Sequence, residues 1–196
     1  MTRGANRNTS EINGDSTLGN LIADAQLVFA KKRGAADVAM INSGGIRANL
    51  TVEAGRPTTI SDLYAILPFN NELIVMTLSG AQLREVVSKQ LPKTLGSARF
   101  VQVSGNFRFQ WSQSAAGASR LDTISMDGRP LQDDKDYRVV VNNFMAEGGD
   151  DLSVFRQGRD KVNLGVDLDA LVEWLAKDAR ALDQIQLGRI VRVQVN

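Results

Sequence analysis

Apolar residues recur at Leu18, Leu21, Ile22, Ala25, Val28 and Phe29, the spacing of one face of a helix. Asp15, Ser16 and Thr17 stand ahead of the run as candidate N-caps. Lys31, Lys32 and Arg33 supply the positive charge that suits a helix C-terminus, and Gly34 ends it. The pattern then changes: Val38, Ala39, Met40 and Ile41 form an unbroken apolar run, read as a short buried strand, which stops at Asn42 and Ser43, two glycines and Arg47. Residues 51–57 read as a turn-rich link, and Ser61 as the cap of a brief helix through Ile66 that Pro68 ends. A strand over residues 73–78 (LIVMTL) leads into Ser79 and Gln82, a capping-box pair, and the helix behind them buries Leu83, Val86 and Val87.

Farther on, residues 100–103 predict a short strand, and Phe107, Phe109 and Trp111 alternate with Asn106, Arg108 and Gln110, the period of a half-buried strand. Residues 121–126 are its partner, with Asp127-Gly128 as a turn. Residues 137–141 form another strand, followed by a second polar, glycine-containing loop, NNFMAEGGDD (142–151). Leu168, Leu171, Val172 and Leu175 mark a late helix. Val191, Val193 and Val195, alternating with Arg192 and Gln194, mark a closing strand. Residues 1–13 lack apolar periodicity and read as a leader or linker remnant, which leaves 14–196 as one domain. Helices mixed with β-segments, with no internal repeat, predict an α/β domain of the α+β type: a mixed sheet flanked by helices.

Composition changes this picture mainly by exclusion. With 196 residues, 43% of them hydrophobic, the chain can build one sizeable core. Its 23 basic and 22 acidic residues leave a net charge of +1, no electrostatic footprint for a nucleic acid polymer. No stretch approaches the roughly 18 apolar residues of a membrane span. Histidine and cysteine are both absent, so imidazole- or thiolate-ligated metal sites and Ser-His-Asp or Cys-His nucleophile systems are excluded. Asp133-Asp134 and Asp150-Asp151 lack the spacing of a calcium loop. The expectation is therefore no metal and no other cofactor in this chain, and a catalyst built from it would need carboxylates, Lys or Tyr alone; the resemblance set out below implies no catalytic residue here.

Candidate chemistry sits in the two polar loops that follow strands. Asn42 offers both a donor and an acceptor, Gly44 and Gly45 let backbone approach a ligand, and Arg47 adds a fixed positive fork. In the second loop Phe144 supplies a stacking face, Gly149 a close backbone and Asp150 an acceptor for hydroxyls, the role an acid plays at the ribose of dinucleotide folds. Either loop alone reads equally as a surface turn. Periodicity by itself assigns Phe100 to the core and leaves Phe144 open between a stacking face and a plug.

Four stretches, GDSTLGNLIADA, VAMINSGGIR, ISDLYAILPFNNELIVMTLSGAQL and NNFMAEGGDD, occur in that order. Together they resemble the C-terminal domain of the 5′-nucleotidase family, from about Gly14 to the C-terminus. The resemblance implies a domain of that fold within a two-domain protein. An N-terminal metallophosphoesterase domain, not in this chain, would hold two divalent metal ions and the catalytic His and Asp, while this domain would recognise a nucleotide or nucleoside. By the same resemblance Phe100 and Phe144 sandwich the base, Asn42 contacts it, Arg47 lies near ribose and phosphate, and Asp150 holds the ribose hydroxyls. Stacking on two aromatic faces, worth about 1–3 kcal/mol per base, tolerates any base.

The implied activity is removal of phosphate from nucleotides, with the fragment inactive alone and the protein periplasmic, secreted or at the cell surface. A 2′,3′-cyclic nucleotide or nucleotide-sugar substrate, or a non-catalytic nucleoside-binding module, stays open. Two departures stand out. Gly14 occupies a position where the family often has arginine, with Arg3 or Arg7 as candidate replacements, and GGDD replaces GGDG, so that Asp151 adds a carboxylate expected to disfavour extra phosphate groups.

Overall fold

The computed structural model describes residues 3–7, 14–94, 100–177, 182 and 185–194. Its strands are β1 (Arg3–Ala5), β2 (Val38–Ile41), β3 (Leu50–Val52), β4 (Glu72–Ser79), β5 (Gln102–Val103), β6 (Phe107–Gln113), β7 (Ser119–Met126), β8 (Arg129–Pro130), β9 (Asp136–Asn142), β10 (Arg159–Val166) and β11 (Ile190–Val193). The helices are α1 (Thr17–Arg33), α2 (Ile60–Ile66), α3 (Gly80–Lys89), α4 (Asn143–Ala146) and α5 (Asp167–Lys177). The α/β class with mixed sheets follows the sequence pattern. A five-stranded sheet runs β10-β4-β9-β2-β5, a four-stranded sheet β11-β6-β7-β8, and β1 pairs with β3. Within the larger sheet β2 and β9 are parallel, whereas β4 is antiparallel to both β9 and β10.

Both faces of the larger sheet are covered, which explains why its central strands read as continuous apolar runs. Val38 and Met40 of β2, Met76 and Leu78 of β4, and Val139 and Val141 of β9 pack with α3 and the aromatic row Phe107, Phe109 and Trp111 of β6. Ala39, Leu73, Val75 and Val140 face the other way, against Phe29 and Ala30 of α1 and Ala170 of α5. Ser16 caps α1 by accepting the Gly19 N–H, and Ser79 with Gln82 forms the predicted capping box of α3.

An ion pair between buried Arg189, just before the last strand, and part-buried Asp24 ties that strand to the first helix. Arg189 forks on both carboxylate oxygens of Asp24 at 2.9 and 2.6 Å and donates to the carbonyls of Asn20 and Val103. Asp15 accepts from the N–H groups of Gly188 and Arg189.

Two readings change, one strand had no reading, and one assigned residue lies outside those described. Thr59, not Ser61, caps α2, because Asp62 completes a reciprocal capping box with it. Leu50–Val52, at the start of the expected link, is a strand, since Arg3–Ala5 from the expected leader pairs with it and buries Ala5. The strand β10 lacked an apolar signal because it is the sheet edge and its first five residues are exposed. Val195, assigned to the closing strand, lies outside the described residues.

Candidate functional site

Because β2 and β9 are parallel neighbours, paired Val38 to Val139 and Ala39 to Val140, the loops that follow them emerge at the same edge of the sheet. A crevice outside the carboxyl ends of strands is a common place for a ligand site. Two amides and a carboxylate stitch the loops together. Asn142 caps α4 by accepting the Met145 N–H at 2.9 Å and donates to Asn42 Oδ1 at 3.0 Å. Asn42 in turn donates to Asp150 Oδ2 at 2.8 Å. Both asparagines are buried and both ends of the Asn42 amide are engaged, so the relay fixes the orientation of each group and holds the Asp150 carboxylate in place.

The backbone is shaped to match. Asp150 and Asp151 both have positive φ, 54° and 61°. A Cβ on Gly149 would stand 2.4 Å from the Phe144 ring, so that glycine is what lets the ring lie over the loop. In the first loop, a Cβ on Gly45 would meet Asn42 Oδ1 at 3.0 Å. Arg47 donates to the Gly44 carbonyl at 3.1 Å, receives at its own carbonyl a hydrogen bond from the Arg7 guanidinium, and stands 5.8 Å over the ring of Phe69. Arg7, one of the candidates to replace the arginine absent at Gly14, is thereby placed next to the Arg47 loop.

A cavity of about 470 Å³ opens here, lined by Asn42, Gly44, Gly45, Arg47, Phe69, Asn71, Phe144 and Asp150. Phe69 is 55% exposed and Phe144 45%, unusual for large apolar rings and consistent with a ligand-facing role. The structure thus brings together Asn42, Gly44, Gly45, Arg47, Phe144 and Asp150, with Gly149 supporting Phe144.

Phe100 is the exception. It is 1% exposed, in edge contact with Phe109 at 5.2 Å and tilted against Trp111 at 5.5 Å, and it does not line the cavity that holds Phe144. The aromatic that shares the cavity with Phe144 is Phe69, which sequence reasoning did not single out. Its signal was an aromatic between Pro68 and Asn70-Asn71, belonging to no periodic run. A second hollow of about 290 Å³ is lined by Ser43, Gln90, Phe100 and Asp151 together with Asn42, Gly44 and Asp150, which it shares with the first cavity. Asp151 therefore borders that hollow and not the aromatic cavity.

Asn71 was also missed. It lies just before β4, and its carbonyl accepts the Asp167 N–H at 2.8 Å where β10 hands over to α5. Burial pushes the Asp167 carboxyl up to about 6; hydrogen bonds from the Asn71 side chain and the Leu168 N–H pull it down, and the charge of Asp169 adds to the rise. Among the described residues no cluster of three or more Asp, Glu, His or Cys side chains is arranged to hold a metal ion. No helix among them is long and apolar enough to cross a membrane.

An α/β domain with a cavity at the ends of parallel strands, lined by two open aromatic rings, an arginine and a carboxylate, has the layout in which small-molecule sites are commonly found. Residues 2–157 match the family described as 5′-nucleotidase, C-terminal domain, and the chain belongs to that family. It is 32% identical over 186 residues to cell wall protein Lmo0130 of Listeria monocytogenes, covering 92% of this chain and 23% of that protein. With endonuclease YhcR of Bacillus subtilis it shares 35% identity over 179 residues, 90% of this chain and 14% of the relative. The chain therefore spans less than a quarter of the length of either relative. A crystal structure of a 5′-nucleotidase precursor from Thermus thermophilus superposes with a TM-score of 0.77 at 29% identity, over 98% of this chain and 38% of that one.

Proposed function

We propose that this chain is the nucleoside-recognition domain of a nucleotide phosphohydrolase, binding the base between Phe69 and Phe144 and the ribose hydroxyls at Asp150. The observation that carries the reading is the pairing of two half-exposed phenylalanines in one cavity with an arginine and a carboxylate already aimed by the Asn142–Asn42 relay. Aromatic faces take the base by stacking without regard to its identity, and the carboxylate accepts from two vicinal hydroxyls. Arg47 adds positive charge at the cavity wall, on the side where a phosphate would leave the ribose. Membership of the 5′-nucleotidase C-terminal family supports the substrate class.

The hydrolytic step belongs, on this proposal, to a metallophosphoesterase domain of the same full-length protein. That domain would supply two divalent metal ions to polarise the phosphate and activate water. On this reading the share of this chain in the reaction is binding and orientation, and it is inactive by itself. A surface or extracellular setting is supported by the relative named as a cell wall protein. Titration of adenosine and uridine by calorimetry tests the reading. Both bind to the wild type with similar affinity, and Phe144→Ala weakens both by about 1–3 kcal/mol. Binding of neither nucleoside, or equal binding by the variant, contradicts it.

A further inference from the structure

The hollow beside Asp151 differs in charge from the aromatic cavity it adjoins. Asn42, Gly44 and Asp150 line both, whereas Arg47 lines only the aromatic cavity and Asp151 only the hollow. The site thus carries a cation in one compartment and a second carboxylate in the other, with Asp150 common to the two. No lysine or arginine is among the described residues that line the hollow. Gln90 in its wall is engaged at both ends of its amide, donating to the Val86 carbonyl at 2.8 Å and accepting the Val101 N–H at 2.6 Å. Asn42 is engaged likewise by Asp150 and Asn142. The charge of the lining is therefore that of Asp150 and Asp151. At about 290 Å³ the hollow falls just below the about 300–1,000 Å³ of pockets that hold a whole small ligand, so it suits a substituent of a ligand seated next door.

The chemistry of a nucleoside says which substituent that is. In ribose the base leaves from C1′ and the 5′-carbon from C4′, while the hydroxyls stand on C2′ and C3′. A sugar held through those hydroxyls at Asp150 has its 2′ and 3′ oxygens where the two compartments meet.

We propose that the hollow is a subsite for groups carried on the 2′ or 3′ oxygen of the ribose, and that Asp151 is the residue that screens them by charge: an amino-bearing substituent is admitted and a phosphate is rejected. The inference rests on the nucleoside reading and deepens it, because it fixes which end of the bound nucleotide can carry phosphate. A phosphate brings a charge of about −1.5 to −2 at pH 7, and setting it against two carboxylates costs affinity, whereas an ammonium there is attracted. Asp151 lies outside the lining of the aromatic cavity, so its charge bears on the sugar hydroxyls and not on a chain of 5′ phosphates beside Arg47.

Calorimetry on the intact chain compares adenosine, its 5′-phosphate, its 3′-phosphate and adenosine bearing a 3′-O-aminoethyl group. The last two carry substituents of similar size and opposite charge, so bulk alone moves them together. The wild type binds the aminoethyl compound more tightly than the 3′-phosphate by about tenfold, the order expected when an exposed carboxylate attracts one and repels the other. Asp151 has a φ of 61°, a conformation that asparagine and glycine both accept. Asp151→Asn narrows the gap by about fivefold, strengthening the phosphate and weakening the amine, while the ratio of 5′-phosphate to adenosine moves far less. Asp151→Gly gives the same result and keeps the test decisive if the asparagine variant folds poorly. A wild type that binds adenosine but does not distinguish the two 3′ compounds, or that binds neither of them, overturns this inference alone, as does a gap that both variants leave in place. Failure of the wild type to bind adenosine and its 5′-phosphate overturns the nucleoside reading, and this inference with it.

Discussion

Truncating Phe100 to alanine separates its place in the core from the stacking role implied by family resemblance. The ring is 1% exposed and makes an edge-on contact with Phe109 and a tilted one with Trp111. Gly14 approaches so closely that a Cβ there would stand 2.6 Å from its Cδ2. Removing a fully buried phenylalanine costs about 3–5 kcal/mol, the upper part applying where the walls cannot collapse into the space. Here the walls are a β-strand row and a backbone turn, both held by hydrogen bonds, so a value near 4 kcal/mol is expected. At a urea dependence of about 2 kcal/mol per M, the unfolding midpoint falls by about 2 M. Phe144→Ala, at a half-exposed position, shifts stability by less than about 1 kcal/mol. Urea titrations followed by tryptophan fluorescence measure both. If Phe100→Ala keeps wild-type stability while nucleoside affinity drops, the core assignment is wrong and the aromatic sandwich must be redrawn.

Other consequences are equally direct. Gly149→Ala forces a methyl into the Phe144 ring, so it weakens nucleoside binding more than it weakens the fold; calorimetry and a melt on the same sample show which dominates. Arg189→Met leaves the part-buried carboxylate of Asp24 without its forked partner, with the Gly105 N–H still donating to it, a change expected to cost less than the roughly 3–5 kcal/mol of a fully buried pair and readable as a lowered urea midpoint. Asp167 gives a pH signature. Its folded pKa, raised to about 6 from 3.8, makes ionisation harder in the folded state, so its contribution to stability is most favourable below about pH 4 and declines as pH rises through 6. Wild-type stability measured relative to Asp167→Asn therefore falls between those pH values and is level above them.

Much of this architecture is legible in the residue pattern, and the exceptions have physical causes. The central strands announce themselves because both their faces are buried, and α1 and α3 because their caps and apolar faces agree. The two polar loops stand out as strand ends, but their meeting depends on β2 and β9 being parallel neighbours. A pairing of Val38 with Val139 across a hundred residues leaves no local mark. The strand β10 escaped notice because a sheet edge with exposed side chains needs no alternation. Local periodicity put Phe100 in the core, where it packs against Phe109 and Trp111; the place beside the base that the family resemblance gives it is what the Phe100→Ala experiment decides. The reverse holds for Phe69, which sits inside a stretch that carries the resemblance yet fits no periodic run. Only the folded chain shows it beside Arg47 and across a cavity from Phe144. Asn71 and Asp167 share that difficulty, since their partnership exists through the crossing of two strand ends.

The central claim is that Phe69 and Phe144 receive a base while Asp150 holds the ribose. A crystal structure of this chain with adenosine tests it most directly. The account predicts the adenine ring between the faces of Phe69 and Phe144, both ribose hydroxyls within hydrogen-bond distance of the Asp150 carboxylate, and Phe100 still packed on Phe109 and Trp111. Adenosine bound in the hollow beside Asp151, or stacked on a displaced Phe100, would contradict it.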